Sequence, residues 1–230
     1  MNTYVISDIH GCARTFEALL QKIRLKKEDQ LYLLGDYINK GPDSKGVLDL
    51  ILHLKKEKFN VSCLRGNHDQ MLLDVQLGNV PGSWEHSLEK QHTLQSFQVD
   101  TPFEIPEFYL RFLDDLGYYT ETEHYFLVHA GFDFRSAFPF RDPGSMLNIK
   151  TIDPPKGMLQ GKKIVRGHVP QQLTNTLAAI EQSSEVISID GGCVYYNNIE
   201  FGNLWALDLH SLQIVYQPNI DRPYKISIKK

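Results

Sequence analysis

Aspartate, asparagine and histidine recur in this chain where short apolar runs end. Asp8-Ile9-His10-Gly11 follows the run at 4–7, Gly35-Asp36 the run at 31–34, and Gly66-Asn67-His68-Asp69 the run at 61–64. Val128-His129-Ala130-Gly131 and Arg166-Gly167-His168 repeat the arrangement. Oxygen and imidazole donors without thiolates suit divalent metals. Two such ions about 3.5–4 Å apart are a standard device for hydrolysing phosphate esters. Side chains at i and i+2 of an extended chain share a face, so Asp8 and His10 are expected to grip one ion together. Asp36 has two carboxylate oxygens and can bridge to a second ion. Asn67, His129 and His168 would complete that second site. One Asp-x-His-Gly tract means little, because such residues also form turns; the argument rests on five tracts at five strand-to-turn junctions. His53, His86, His92, His124 and His210 lack that setting and read as ordinary packed or surface residues.

The elements that must position these groups follow from periodicity. Residues 4–7, 31–34 and 61–64 read as buried strands. Phe16, Leu19, Leu20 and Ile23 fall at helical spacing over 13–25, and Val47, Leu48, Ile51, Leu52 and Leu54 after the turn 41–44. Residues 69–76 read as a third helix. Strand and helix in alternation imply parallel pairs with helical crossovers. The stretch 77–104 is polar, with Gly78, Pro81 and Gly82, then helical over 88–97; 106–116 is another helix. From 118 onward the spacing predicts strands at 118–121, 125–129, 163–166, 186–189, 204–209 and 214–216, which suggest a second sheet. The candidate ligands are divided between both halves, so 1–230 reads as a single α/β domain of two packed sheets with helices outside.

Composition narrows the function classes. The chain has 230 residues, 42% of them apolar, and a formal net charge of -4. Its mean hydropathy is -0.31 and its pI about 6.1. A nucleic-acid partner is not expected, since phosphate backbones are held by clustered cations. No apolar stretch is long enough for a membrane span. The strand at the N-terminus leaves no room for a signal peptide. Cys12, Cys63 and Cys193 are odd in number and widely spaced, which suits reduced thiols and a cytoplasmic protein.

Taken together, the tracts resemble the signature of the calcineurin-like metallophosphoesterases, and within them the short bacterial and phage branch of the PPP-type serine/threonine phosphatases. The family reads Gly-Asp-x-His-Gly, Gly-Asp-x-x-Asp-Arg-Gly, Arg-Gly-Asn-His-Glu, His-Ala-Gly and Gly-His-Thr. This chain reads Ser7-Asp8-Ile9-His10-Gly11, Gly35-Asp36-Tyr37-Ile38-Asn39-Lys40-Gly41, Arg65-Gly66-Asn67-His68-Asp69, His129-Ala130-Gly131 and Gly167-His168-Val169. Asp190-Gly191-Gly192-Cys193 and the stretch 204–209 match a later family feature, so the resemblance runs over about residues 3–209. It implies a four-layer α/β/β/α sandwich of two mixed sheets and two divalent ions, with Mn²⁺ favoured and Fe or Zn admissible. By the same resemblance Asp8, His10, Asp36, Asn67, His129 and His168 are metal ligands and His68 is the general acid. Phosphate would be held by Arg65, Lys40 and Lys150, the last through a looser match of Asn148-Ile149-Lys150 to a family Trp-x-Arg.

Three departures bear on mechanism. Asn39 stands where the family has the Asp that orients and charges the acid His, so the pKa of His68 is expected to be low. Lys40 and Lys150 stand where relatives carry Arg, giving charge without a planar fork. Asp69 replaces Glu but keeps a carboxylate near the ligands; Ser7 for Gly is a minor change. The leading expectation is a two-metal serine/threonine protein phosphatase acting on a phosphoprotein. The alternatives are a diadenosine-tetraphosphatase-like or other small-phosphoester hydrolase, which Asn39 leaves open, and a non-catalytic binding module on the same fold.

Overall fold

A computed structural model of the chain describes residues 1–79 and 88–224. In chain order the elements are β1 (Thr3–Ile6), α1 (Ala13–Lys22), β2 (Gln30–Leu33), α2 (Ser44–Lys56), β3 (Asn60–Cys63) and α3 (Asn67–Gln76). Then come α4 (Leu88–Phe97), α5 (Glu107–Asp114), β4 (Tyr119–Glu121), β5 (Tyr125–Val128) and α6 (Pro143–Asn148). The chain continues through β6 (Lys163–Arg166), α7 (Leu173–Glu181), β7 (Val186–Ser188), β8 (Asn203–Asp208) and β9 (Ile214–Pro218). Among the described residues no helix is long and apolar enough to cross a membrane. His86, Pro81 and Gly82 lie outside the described residues.

Two mixed sheets result. One has the order β3-β2-β1-β8-β9, the other β4-β5-β6-β7. β1, β2 and β3 run parallel, as do β5, β6 and β7. Alternation along each strand sorts side chains into three apolar layers. Tyr4, Ile6, Leu31 and Leu33 face α1–α5, while Val5 meets Leu127, Val165, Ile187 and Leu207 between the sheets. Phe126, Val128 and Ile164 face outward onto Phe132, Met146 and Leu159. Strands covered on both faces must be apolar at successive positions, which explains the unbroken runs in the sequence. The layering is α/β/β/α, as the resemblance implied.

The hairpin β8–β9 departs from the expected second sheet. β8 pairs antiparallel with β1 and closes the first sheet. Leu204 and Ala206 reach the helical layer while Leu207 reaches the layer between the sheets. A strand apolar on both faces belongs in a sheet's interior, and β1 offered the open edge. The helices α6 and α7 were not read from sequence. The first is only six residues long, capped by Asp142, whose carboxylate accepts from Ser145 N.

The parallel strands end at one edge, and their exits carry the chemistry. β1 leads to Asp8 and His10, the exit of β2 to Asp36, β3 to Asn67, β5 to His129 and β6 to His168. Close packing of turns fixes these exits. A Cβ on Gly66 would lie 2.2 Å from Asp36 N and Asp36 Oδ1, so only glycine lets the β3 exit approach the β2 exit.

Candidate active site

Asp36 sits at the centre of the cluster with one oxygen toward each side. His10 Nε2 lies 3.3 Å from its Oδ2, and His129 Nε2 lies 3.6 Å from its Oδ1. Asn67 Oδ1 is 3.0 Å from His129 Nε2 and 3.1 Å from His168 Nδ1. His10, Asp36 and His68 form one group of converging donors; Asp8, Asp36 and His129 form another. This division differs from the sequence expectation in two ways. Asp8 falls on the His129 side, because its Oδ2 accepts from His168 N (3.0 Å) and from Ser7 Oγ. His68, expected beside the donors, stands among them with His10.

The backbone that achieves this is not extended. Asp8 (φ 52), His10 (φ 47), Asp36 (φ 55), Asn39 (φ 67), Lys40 (φ 65) and His168 (φ 69) all adopt left-handed conformations. The i, i+2 premise of an extended chain therefore does not hold: a tight turn, not a strand, aims Asp8 and His10, and it sends them to different sides of Asp36. Each such residue costs about 1–3 kcal/mol, and such strain concentrates at functional sites.

The donor set fits cations on physical grounds. His10 Nδ1 donates to Ile38 O and His129 Nδ1 to Leu34 O, both at 3.0 Å. Burial pushes both imidazoles below the usual histidine range, so they are neutral and their single protons are already used. Their Nε2 lone pairs therefore face the Asp36 carboxylate oxygens with no proton between them. Opposed acceptors in a buried site call for a positive charge, which is how a metal-ligating histidine is normally arranged. Lys40 answers part of this demand: its Nζ donates to His10 Nε2 at 2.7 Å. Donors about 3 Å apart are also what octahedral ligands near 2.1 Å from one ion would show. Asp8, His10, Asp36, Asn67, His129 and His168 could thus hold two divalent ions bridged by Asp36.

Asp69 braces this centre from behind. Its carboxylate accepts from Asp36 N (2.8 Å), Tyr37 N (3.0 Å) and Gly66 N (2.9 Å), tying the β2 exit to the start of α3. Burial, and then the nearby Asp36 charge, push its pKa up to about 7. Asp190 is buried within the field of Asp8, and burial raises its pKa well above the usual carboxylate range. The cluster is therefore rich in carboxylates before any cation is counted.

His68 meets Asn39 as the sequence suggested. Asn39 Nδ2 donates to His68 Nδ1 at 3.3 Å. The amide is held in that sense by Thr93, whose hydroxyl donates to Asn39 Oδ1 at 2.8 Å. Burial first, and the Lys40 charge second, press the His68 pKa well below the histidine range.

A family model described as calcineurin-like phosphoesterase matches residues 1–202. The chain belongs to that family. This calcineurin-like phosphoesterase is 43% identical over 79 residues to a symmetrical bis(5'-nucleosyl)-tetraphosphatase of Buchnera aphidicola, covering 34% of this chain and 28% of that protein. It is 36% identical over 135 residues to the protein of the same name from Nitrosomonas europaea, covering 57% of this chain and 45% of the relative. The matches thus span less than half the length of these curated relatives. Among solved structures, a candidate diadenosine tetraphosphatase superposes with a TM-score of 0.64 at 23% identity, covering 95% of this chain and 93% of that one. A serine/threonine phosphatase from Saccharomyces cerevisiae superposes at 0.65 with 16% identity, covering 97% and 81%. At such identities these structures speak for the fold.

In this calcineurin-like phosphoesterase the remaining phosphate candidates are placed apart. Arg65 is buried, and its guanidinium is committed elsewhere: Nη1 donates to Gln70 Oε1 (2.7 Å), Nη2 to Asp114 O, and its plane lies over Tyr118. The carbonyl end of α5 and an aromatic face hold this buried cation, while its Nε stays buried without a hydrogen-bond partner. Lys150 is exposed, and its carbonyl accepts from Arg166 Nη2 at 2.8 Å. The cation that meets the donor cluster is Lys40. Sequence reasoning missed Thr93 and His92, on α4. His92 Nδ1 donates to Lys40 O at 2.7 Å, although its sequence setting gave no hint of a role.

Proposed function

We propose that this protein hydrolyses the phosphoanhydride of a dinucleoside polyphosphate such as diadenosine tetraphosphate, using two divalent ions held by Asp8, His10, Asp36, Asn67, His129 and His168. When bound, such ions supply charge on the phosphoryl oxygens and an activated water. The chain's own residues do the rest. Lys40 is placed to hold a phosphoryl oxygen beside His10. His68, kept neutral with its proton on Nε2 by the Asn39 amide at Nδ1, donates a hydrogen bond to the departing oxygen. A water oxygen bonds to phosphorus, the bridging P–O bond breaks, and two nucleotides leave.

The observation that carries this choice is the amide beside His68. A departing phosphate has a pKa of about 6 and needs little protonation. A departing alkoxide, closer in basicity to hydroxide (about 16 for water), needs a strong acid partner. An acid residue that is neutral and lacks a carboxylate suits the first leaving group better. The curated relatives, named as tetraphosphatases, support the same substrate class. The protein-phosphatase expectation has only fold-level likeness behind it. The intact donor set speaks against a non-catalytic module.

The deciding experiment is turnover of diadenosine tetraphosphate and of a phosphoserine peptide in parallel, with Mn²⁺ added. Cleavage of the dinucleotide alone is expected. Cleavage of the peptide alone would replace this reading with the protein-phosphatase one, and no turnover of either or of a wider phosphoester panel would favour the binding module.

A further inference from the structure

A cavity of about 590 Å³ is lined by Phe132, Phe134, Arg135, Lys150, Asp153 and Pro155 among others. That volume falls in the range of small-ligand sites, roughly 300–1,000 Å³. No candidate metal ligand lines it, but covalent and hydrogen-bonded links tie its wall to the donor cluster. Phe132 is three residues beyond His129, at most about 11 Å along the chain. The buried Arg166 guanidinium donates both to Ala130 O (2.9 Å), next to His129, and to Lys150 O (2.8 Å). Ile152 closes directly over Gly131, where a Cβ would meet its Cδ1 at 2.2 Å.

The lining chemistry is that of a nucleoside site. Phe134 is partly exposed, and its ring is held edge-on by Phe140 at 6.2 Å and 80°. Arg135, exposed, pairs two-pronged with Asp133 at 2.8 and 3.0 Å. An aromatic ring and a guanidinium plane are both surfaces on which nucleobases stack. The exposed Asp153 carboxylate can accept from ribose hydroxyls, as acidic residues do in dinucleotide sites. The charges of Asp133, Arg135, Lys150 and Asp153 cancel. A bare polyphosphate gains nothing from such a wall, whereas an uncharged base and sugar do.

We propose that this cavity binds the nucleoside of the substrate while its phosphates lie on the donor cluster, with Lys150 at the junction. The inference rests on the dinucleotide reading above and names the residues that would select it: Phe134 for the base and Asp153 for the sugar.

The test compares ADP with inorganic pyrophosphate, which share a diphosphate and differ by the nucleoside. Calorimetric titration uses the full chain loaded with Mn²⁺. The wild type is expected to bind ADP at least about ten-fold more tightly than pyrophosphate, and Phe134→Ala to reduce that ratio roughly ten-fold. Asp153→Asn, at an exposed position, should reduce it by a smaller factor and serves if Phe134→Ala fails to fold. Equal affinity for ADP and pyrophosphate in the wild type, or a preference that survives both variants, overturns the assignment. An ADP preference lost in Phe134→Ala without dinucleotide turnover would sink the catalytic reading and leave the subsite standing. Dinucleotide turnover without an ADP preference would do the reverse.

Discussion

A carboxylate beside His68 would accept the imidazole's Nδ1–H and stabilise its protonated form. The Asn39 amide donates to that nitrogen instead, and the Thr93 hydroxyl keeps it from turning round. In the proposed mechanism this single exchange would suit His68 to leaving groups that need little help. Asn39→Asp should therefore raise the His68 pKa. A protonated His68 then persists to higher pH, so alkyl-phosphate turnover, which needs a charged acid, should acquire a basic limb at the raised pKa that the wild type lacks. Turnover of an alkyl phosphate such as glycerol phosphate should gain on the dinucleotide in the same variant. A profile and a substrate ratio both unmoved would mean that Asn39 does not govern His68. His68→Asn should slow alkyl-phosphate turnover by about 10²–10⁴ if the imidazole is the proton donor. Metal content measured by atomic absorption should stay at two ions per chain. Because His68 stands near His10 and Asp36, loss of one ion in this variant would make it a ligand and not an acid.

The β2 and β3 exits converge because Gly66 lets the turns touch and Asp69 ties them together. Gly66→Ala puts a methyl group 2.2 Å from both Asp36 N and its Oδ1. We expect the strand scaffold to survive, as judged by far-UV circular dichroism, while Asp36 is displaced and Mn²⁺ affinity falls at least ten-fold by calorimetry; unchanged affinity would show that Asp36 does not hold both ions. Asp69→Ala leaves the buried N–H groups of Asp36, Tyr37 and Gly66 without their acceptor. At about 1–3 kcal/mol for each buried unpaired group, a loss of several kcal/mol is expected in urea unfolding. The legibility of these elements from sequence had a definite limit. Apolar runs ending in ligand residues are visible because a strand buried on both faces cannot hide its composition. The left-handed turns at Asp8, His10 and Asp36 were not read, since the enrichment of Asp and His at positive φ is too weak a mark to place a single turn. Nor could spacing say that β8 pairs with β1, because sheet membership is a long-range choice.

The fold as a whole gathers a site whose ionisation opposes acid. The chain's tail helps to close it: Asp221 accepts from Arg14 N and Thr15 N and caps α1, directly after the His10 turn. Neither this cap nor the Asn219 contact with Cys193 O was legible, since both join residues some 200 and 26 positions apart in sequence. Within this enclosure His10, His68, His129 and His168 all have pKa values lowered by burial, His168 to about 4. In the unfolded chain they would protonate near 6.5. Between about pH 6.5 and 4 the unfolded state therefore binds more protons, so stability falls as the pH falls through that window. Asp69 and Asp190 act in the opposite sense, because their folded pKa values are raised and the folded state holds protons that the unfolded state releases. Four histidines act in one sense and two carboxylates in the other, so the expected net slope follows the more numerous histidines. In chelator-treated protein the urea midpoint should drop between pH 6.5 and 4.5. Metal ions require the same donors unprotonated, and the folded histidines stay unprotonated well below 6.5, so the stabilisation gained by adding Mn²⁺ should persist from pH 7.5 to about 5 and fade only as the pH nears 4. A Mn²⁺ increment lost already between pH 7 and 6, where the folded imidazoles are neutral, would show that other groups hold the ions.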